Sequence, residues 1–143
     1  VTRTFSKAYG LAGLRTGYAV ADPEIINELD KVLLAFSVNM LAQVGALAAL
    51  DALDDIQIRI DQILNERLRV VNALAAAGWK MPEARANFVY LPLGDRTDDI
   101  ALALEHSGVV IRPFSGAGIR VTVGTPEEND RFITSLTEMA GPK

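Results

Sequence analysis

Apolar residues recur at helical spacing through the middle of the chain, and short β-branched or aromatic runs interrupt that rhythm near both ends. In "DPEIINELDKVLLAF" (22–36), Ile25, Ile26, Leu29, Val32, Leu33 and Phe36 share one face. Asp22 stands at the N-cap and Pro23 at the first helical position, so the stretch predicts a helix. "VNMLAQVGALAALDAL" (38–53) is almost wholly apolar and small, which predicts a buried helix capped by Asn39. Residues 54–77 predict one long helix with Ile60, Leu64, Leu68, Val71 and Ala75 inward and Gly78 as its stop. Two further helices are predicted. One spans 97–107, capped by Thr97 and ended by Gly108. The other spans 125–140, opened by a Thr125/Glu128 capping box and burying Phe132, Ile133, Leu136 and Met139.

Strands are predicted over "VTRTFS" (1–6), "TGYAVA" (16–21), "ANFVYLPL" (86–93), "VVIR" (109–112) and "GIRVTVG" (118–124), the last two separated by the loop "PFSGA". The order is a helix-rich first part, a long connecting helix, and a strand–helix–strand–strand–helix lobe of α+β type. No apolar run reaches the ~18 residues of a membrane span. With no cysteine and one histidine, disulfides and thiolate metal sites are excluded and a transition-metal site is not expected. No signal peptide is read, and a cytoplasmic location is expected.

Charge changes the picture. The net charge is −4, yet residues 1–21 hold Arg3, Lys7 and Arg15 with no acid, and residues 109–124 hold Arg112 and Arg120 with no acid. Two acid-free islands in an acidic chain mark places for an anion, although strands are poor in Asp and Glu in any case. So few basic residues disfavour a nucleic-acid partner. Lys7 stands at the end of a predicted strand, before a loop punctuated by Gly10, Gly13 and Gly17. Neighbouring positive charge and partial burial would favour its neutral amine, the form a Schiff base with a carbonyl cofactor requires. Arg15, with the Thr4 and Ser6 hydroxyls, would suit a phosphate. The alternative reading is a solvated loop with ordinary surface charge. The glycine spacing fits neither G-x-G-x-x-G nor a P-loop. Ser6 is a poor nucleophile partner for Lys7, since adjacent residues on a strand point to opposite faces.

"TFSKAYGLAGLRTGYAVA" resembles the lysine segment of fold-type-I, pyridoxal-phosphate (PLP)-dependent aminotransferases, above all the histidinol-phosphate and aromatic amino acid aminotransferases. The pattern S-K-x-[FY]-G-L-A-G-L-R-x-G-[FY] is specific, and "ANFVYLPL", "VVIRPF" and "GIRVTVGTPEEN" follow in the expected order. The resemblance covers essentially the whole chain. It implies an α/β fold: residues 1–53 as the end of the large α/β/α cofactor domain, 54–78 as a connecting helix, and 79–143 as the small α+β domain. It implies that Lys7 carries PLP and acts as general base and acid between the substrate Cα and the cofactor, and that Thr4, Ser6 and Arg15 hold the cofactor phosphate. Arg120 would grip the substrate carboxylate or phosphate, with Arg112 as a second anion contact. Amino acid and 2-oxo acid substrates and a homodimer are implied as well.

In that family the aspartate against the pyridine nitrogen, the aromatic residue stacked on the ring and the tyrosine on the ring oxygen precede the lysine. This chain begins six residues before Lys7, so it is read as the C-terminal part of a longer protein, inactive by itself and poorly soluble because an apolar face of residues 1–53 is left exposed. Two other functions stay open: a decarboxylase of phosphorylated amino acids on the same scaffold, and a non-catalytic anion-binding module. His106, Trp79 and Tyr9 are given structural readings. Asn87 is read as a substrate contact or a turn residue. Asp54–Asp55 and Asp98–Asp99 are read as helix-start charges.

Overall fold

The computed structural model describes residues 1–139 and 141. It divides into two compact units, Val1–Ile60 and Asp61 onward, and the division falls inside one helix. In the first unit, β1 (Thr2–Thr4) and β2 (Gly17–Ala19) pair antiparallel, with Thr4 opposite Gly17. α1 (Pro23–Asp30) and α2 (Met40–Asp51) follow, and α3 (Leu53–Ala76) begins here. The Asp22 carboxylate accepts from the Glu24 N–H at 3.0 Å, and the Asn39 side chain accepts from the Ala42 N–H at 2.8 Å, so both predicted caps form.

The buried reading of residues 38–53 does not hold, whereas the exposed face expected for residues 1–53 does. α1 ends at Asp30 instead of continuing to residue 36, and Val32, Leu33 and Phe36 are exposed, Phe36 at 99%. Of α2 only Ala42 and Ala49 are buried, while Met40, Leu41, Val44 and Leu47 face outward. Helices owe most of their stability to packing of an apolar face, and no such packing covers residues 31–36. The chain turns there, with Phe36 at φ 59°.

The second unit closes around its own core. β3 (Phe88–Pro92), β5 (Gly118–Thr122) and β4 (Arg112–Phe114) form an antiparallel sheet in the order β3–β5–β4. α4 (Thr97–His106) and α5 (Pro126–Met139) belong to the same unit. Strand alternation turns Val89, Leu91, Ile119 and Val121 into the core beside Val70, Leu74, Leu104, Phe132 and Leu136. Each fully buried leucine contributes about 1.5–3 kcal/mol.

Four details differ from expectation. The inward face of α3 runs through Val70 and Leu74, one residue before the predicted Val71 and Ala75; Val71 packs against the core from the side, and Leu64 and Leu68 are exposed. The strand predicted over 109–112 pairs instead over Arg112–Phe114, in register with Gly118–Arg120. Thr97 does not cap α4, since its hydroxyl donates to the Gly94 carbonyl at 2.6 Å. Met139 is exposed, and Ala140, the last residue of the predicted helix, lies outside the described residues. The Thr125/Glu128 capping box forms as predicted. Trp79 is buried after the α3 terminus, with the Arg96 guanidinium 5.6 Å from its ring centre.

Candidate functional site

Two groups of basic residues stand out, one in each unit. The first is the loop between β1 and β2. Phe5, buried just after β1, anchors it: the Phe5 N–H donates to the Thr16 carbonyl (3.2 Å), and the Phe5 carbonyl accepts from Leu11 N–H (2.9 Å). The Tyr9 ring packs on Phe5 at 4.8 Å, which gives Tyr9 a structural role. Gly17 lets the strands meet here, because a Cβ would fall 2.5 Å from the Arg3 carbonyl oxygen. Behind the loop, a Cβ at Gly45 of α2 would fall 2.7 Å from Leu14 Cδ1, so α2 backs the turn closely at this glycine.

All four predicted cofactor residues lie on this hairpin. The Thr4 hydroxyl accepts from the Ser6 N–H at 3.0 Å. Lys7 is exposed, which corrects the expected partial burial, and among the described residues no carboxylate pairs with it. Since β1 ends at Thr4, Ser6 and Lys7 lie in the loop, and strand alternation does not govern their directions. Arg15 ends a short 3-10 turn (Ala12–Leu14) in the left-handed region at φ 54°, and its Nη1 donates to the Ala12 carbonyl at 2.7 Å. A non-glycine residue held there costs about 1 kcal/mol, a sign of a local demand stronger than intrinsic preference.

The second group lies on the sheet of the second unit. Tyr90, Arg120 and Arg112 occupy one row across β3, β5 and β4, with Arg120 directly paired to each of the others. Aromatic rings take the place of acidic partners: the Arg120 guanidinium lies 5.3 Å from the Phe88 ring centre, and that of Arg112 lies 5.7 Å from Phe114. Arg120 Nε is buried without a partner among the described residues. Like charges directly opposite on neighbouring strands repel, so an anion between them would stabilise the arrangement. Both arginines line a cleft of about 740 Å³, together with Gly124, Glu128, Asn129 and Arg131.

A third cluster was not read from the sequence. Arg69 bridges Glu66 (2.9 Å) and Asp130 (2.6 Å), and Asn129 donates to Glu66 Oε2 at 2.9 Å. The Arg69 hydrogen bonds, followed by that of Asn129, hold the Glu66 carboxyl below the usual carboxylate range. The i,i+3 spacing of Glu66 and Arg69 was the available signal; their partners lie about sixty residues away. Among the described residues there is no group of three or more metal-ligating side chains, and no helix is long and apolar enough to cross a membrane.

The family model for aminotransferase class I and II matches residues 1–136. The chain belongs to this family. An aromatic amino acid aminotransferase from Rhodococcus opacus is 53% identical over 96% of the chain and 38% of its own length. A second, from Mycolicibacterium smegmatis, is 52% identical over 99% of the chain and 39% of its own length. The crystal structure of histidinol-phosphate aminotransferase from Sinorhizobium meliloti, in complex with pyridoxal-5'-phosphate, superposes with a TM-score of 0.79 at 31% identity. It matches 96% of this chain and 39% of that one. The fold is therefore that of part of a fold-type-I aminotransferase, and the chain spans under two fifths of the length of these relatives.

Proposed function

We propose that the protein containing this chain is a PLP-dependent aminotransferase acting between an aromatic amino acid or histidinol phosphate and a 2-oxo acid. The observation that carries this reading is the β1–β2 loop, where an unpaired exposed lysine, two hydroxyls and a left-handed arginine share one anchored hairpin. These residues fit the cofactor: Thr4, Ser6 and Arg15 offer hydroxyl and guanidinium donors for a phosphate, and Lys7 offers a free amine for an aldehyde. When bound, PLP supplies an electron sink for negative charge at the substrate Cα. Lys7 takes the proton from that carbon and returns it as general base and acid. Arg120 holds the substrate carboxylate or phosphate, with Arg112 adding a second contact from the neighbouring strand.

In this reading residues 1–53 end the large cofactor domain, 54–78 connect, and 79–143 form the small domain of a subunit that works as a homodimer. The homologues' names and the PLP-bound relative support the aminotransferase chemistry of this reading. The test is product analysis on the longest natural form of the chain, supplied with PLP, phenylalanine and 2-oxoglutarate. Phenylpyruvate and glutamate in equal amounts are expected. Carbon dioxide released from a phosphorylated amino acid, without a keto acid, would favour the decarboxylase instead.

A further inference from the structure

We propose that Glu66, Arg69, Asn129 and Asp130 are positioning residues for the Arg112–Arg120 cleft; this rests on the reading that the cleft holds the substrate's anionic group. Asn129 is 3% exposed, and both its amide oxygen and its amide nitrogen have partners. Its Oδ1 accepts from the Gly124 N–H at 3.0 Å, while its Nδ2 donates to the Gly124 carbonyl at 3.0 Å and to Glu66 Oε2 at 2.9 Å. One side chain thus clamps both backbone groups of Gly124, which follows β5, the strand that carries Arg120.

The clamp is itself held. Glu66 receives Arg69 through Nε at 3.0 Å and Nη2 at 2.9 Å, and Arg69 goes on to the Asp130 carboxylate at 2.6 Å and the Pro126 carbonyl at 3.2 Å. α3 therefore grips the first turn of α5 at three residues, Pro126, Asn129 and Asp130. Gly124, Glu128 and Asn129 form part of the wall of the cleft that Arg112 and Arg120 line. Stability alone does not call for such a network, since an ion pair as exposed as Arg69–Asp130 contributes little. A defined wall does call for it: anion recognition by two facing arginines needs fixed geometry, and fully satisfied polar networks rigidify what they join.

The test uses N129A, E66Q and D130N in the longest natural chain with PLP, measuring kcat and KM for phenylalanine and the inhibition constant of 3-phenylpropionate, an unreactive carboxylate. In N129A and E66Q, KM and the inhibition constant should each rise about tenfold with kcat little changed, the loss expected when a binding group is misplaced by a fraction of an ångström. D130N should shift both in the same direction by a smaller factor. Asp130 is largely exposed, so that variant keeps the test decisive if N129A does not fold. Lowered thermal stability with both constants unchanged in every variant that folds would overturn the proposal. R120A separates the two levels. If it leaves both constants unchanged, the substrate reading of the cleft fails and the proposal with it. If it weakens both while the network variants do not, the proposal alone fails.

Discussion

The first unit of this chain is the more apolar of the two, yet it buries less of what it has. In the second unit, Leu74, Leu91, Leu104, Ile119 and Leu136 are fully buried in one core bounded by α3, the sheet, α4 and α5. In the first unit, the apolar faces of α1 and α2 and the run Val32–Leu34 lie open, and only Phe5, Ala42, Ala49 and Ile56 are buried hydrophobics. The second unit holds its arginine row on a sheet backed by its own core. The lysine loop is locally well anchored, but the helices that follow it present faces without cover.

The comparison can be broken or sharpened by mutation, beginning with the largest effect. Lys7→Ala in the longest natural form should abolish amino transfer, a loss of at least about 10²–10⁴-fold as expected for removing a general acid–base group. Lys7→Ala with wild-type turnover would end the assignment. Leu136→Ala should cost the second unit about 2–5 kcal/mol, whereas Phe36→Ala in the isolated chain should stay within about 0.5 kcal/mol, both read from denaturant melts. Equal costs would mean that the first unit is packed after all. Arg120→Ala should weaken carboxylate binding by about 1.5–3 kcal/mol, the range for hydrogen bonds to charged groups, measured as KM or inhibitor affinity.

The smallest effect is one of pH. The Glu66 carboxyl titrates lower in the folded state than in the unfolded chain, because Arg69 and then Asn129 donate hydrogen bonds to its charged form. Its stabilisation is fully present above the unfolded value of about 4.3 and is lost as pH falls through the lower folded value. Melts of the wild type from pH 7 to pH 3 should therefore steepen below about pH 4.3, and E66Q should flatten that slope. Parallel slopes would show that Glu66 is not the group responsible.

Much of this was legible in the residues themselves. Caps at Asp22, Asn39 and Thr125 announced their helices, because capping is local chemistry, and the strand placements near 88–92 and 118–122 followed from β-branched runs. Periodicity shows which faces of α1 and α2 are apolar but not whether anything covers them, so the buried reading of 38–53 fails while the exposed face expected over 1–53 is found. The strand expected over 109–112 meets β4 only at Arg112, because Val109–Ile111 look more strand-like than Arg112–Phe114 and only pairing with β5 decides between them. Lys7, Thr4, Ser6 and Arg15 could be grouped from adjacency along the chain. Arg112 and Arg120 could be named, but their direct cross-strand pairing depends on register. The Asn129 clamp on Gly124 and Glu66 spans distances along the chain that no local pattern encodes.

The most direct test of the central claim is borohydride reduction of the longest natural form in the presence of PLP, followed by peptide mapping. A pyridoxyl adduct on Lys7 is the predicted result, fixing cofactor and lysine together. Its absence from the full-length protein, or an adduct on another lysine alone, would contradict the account.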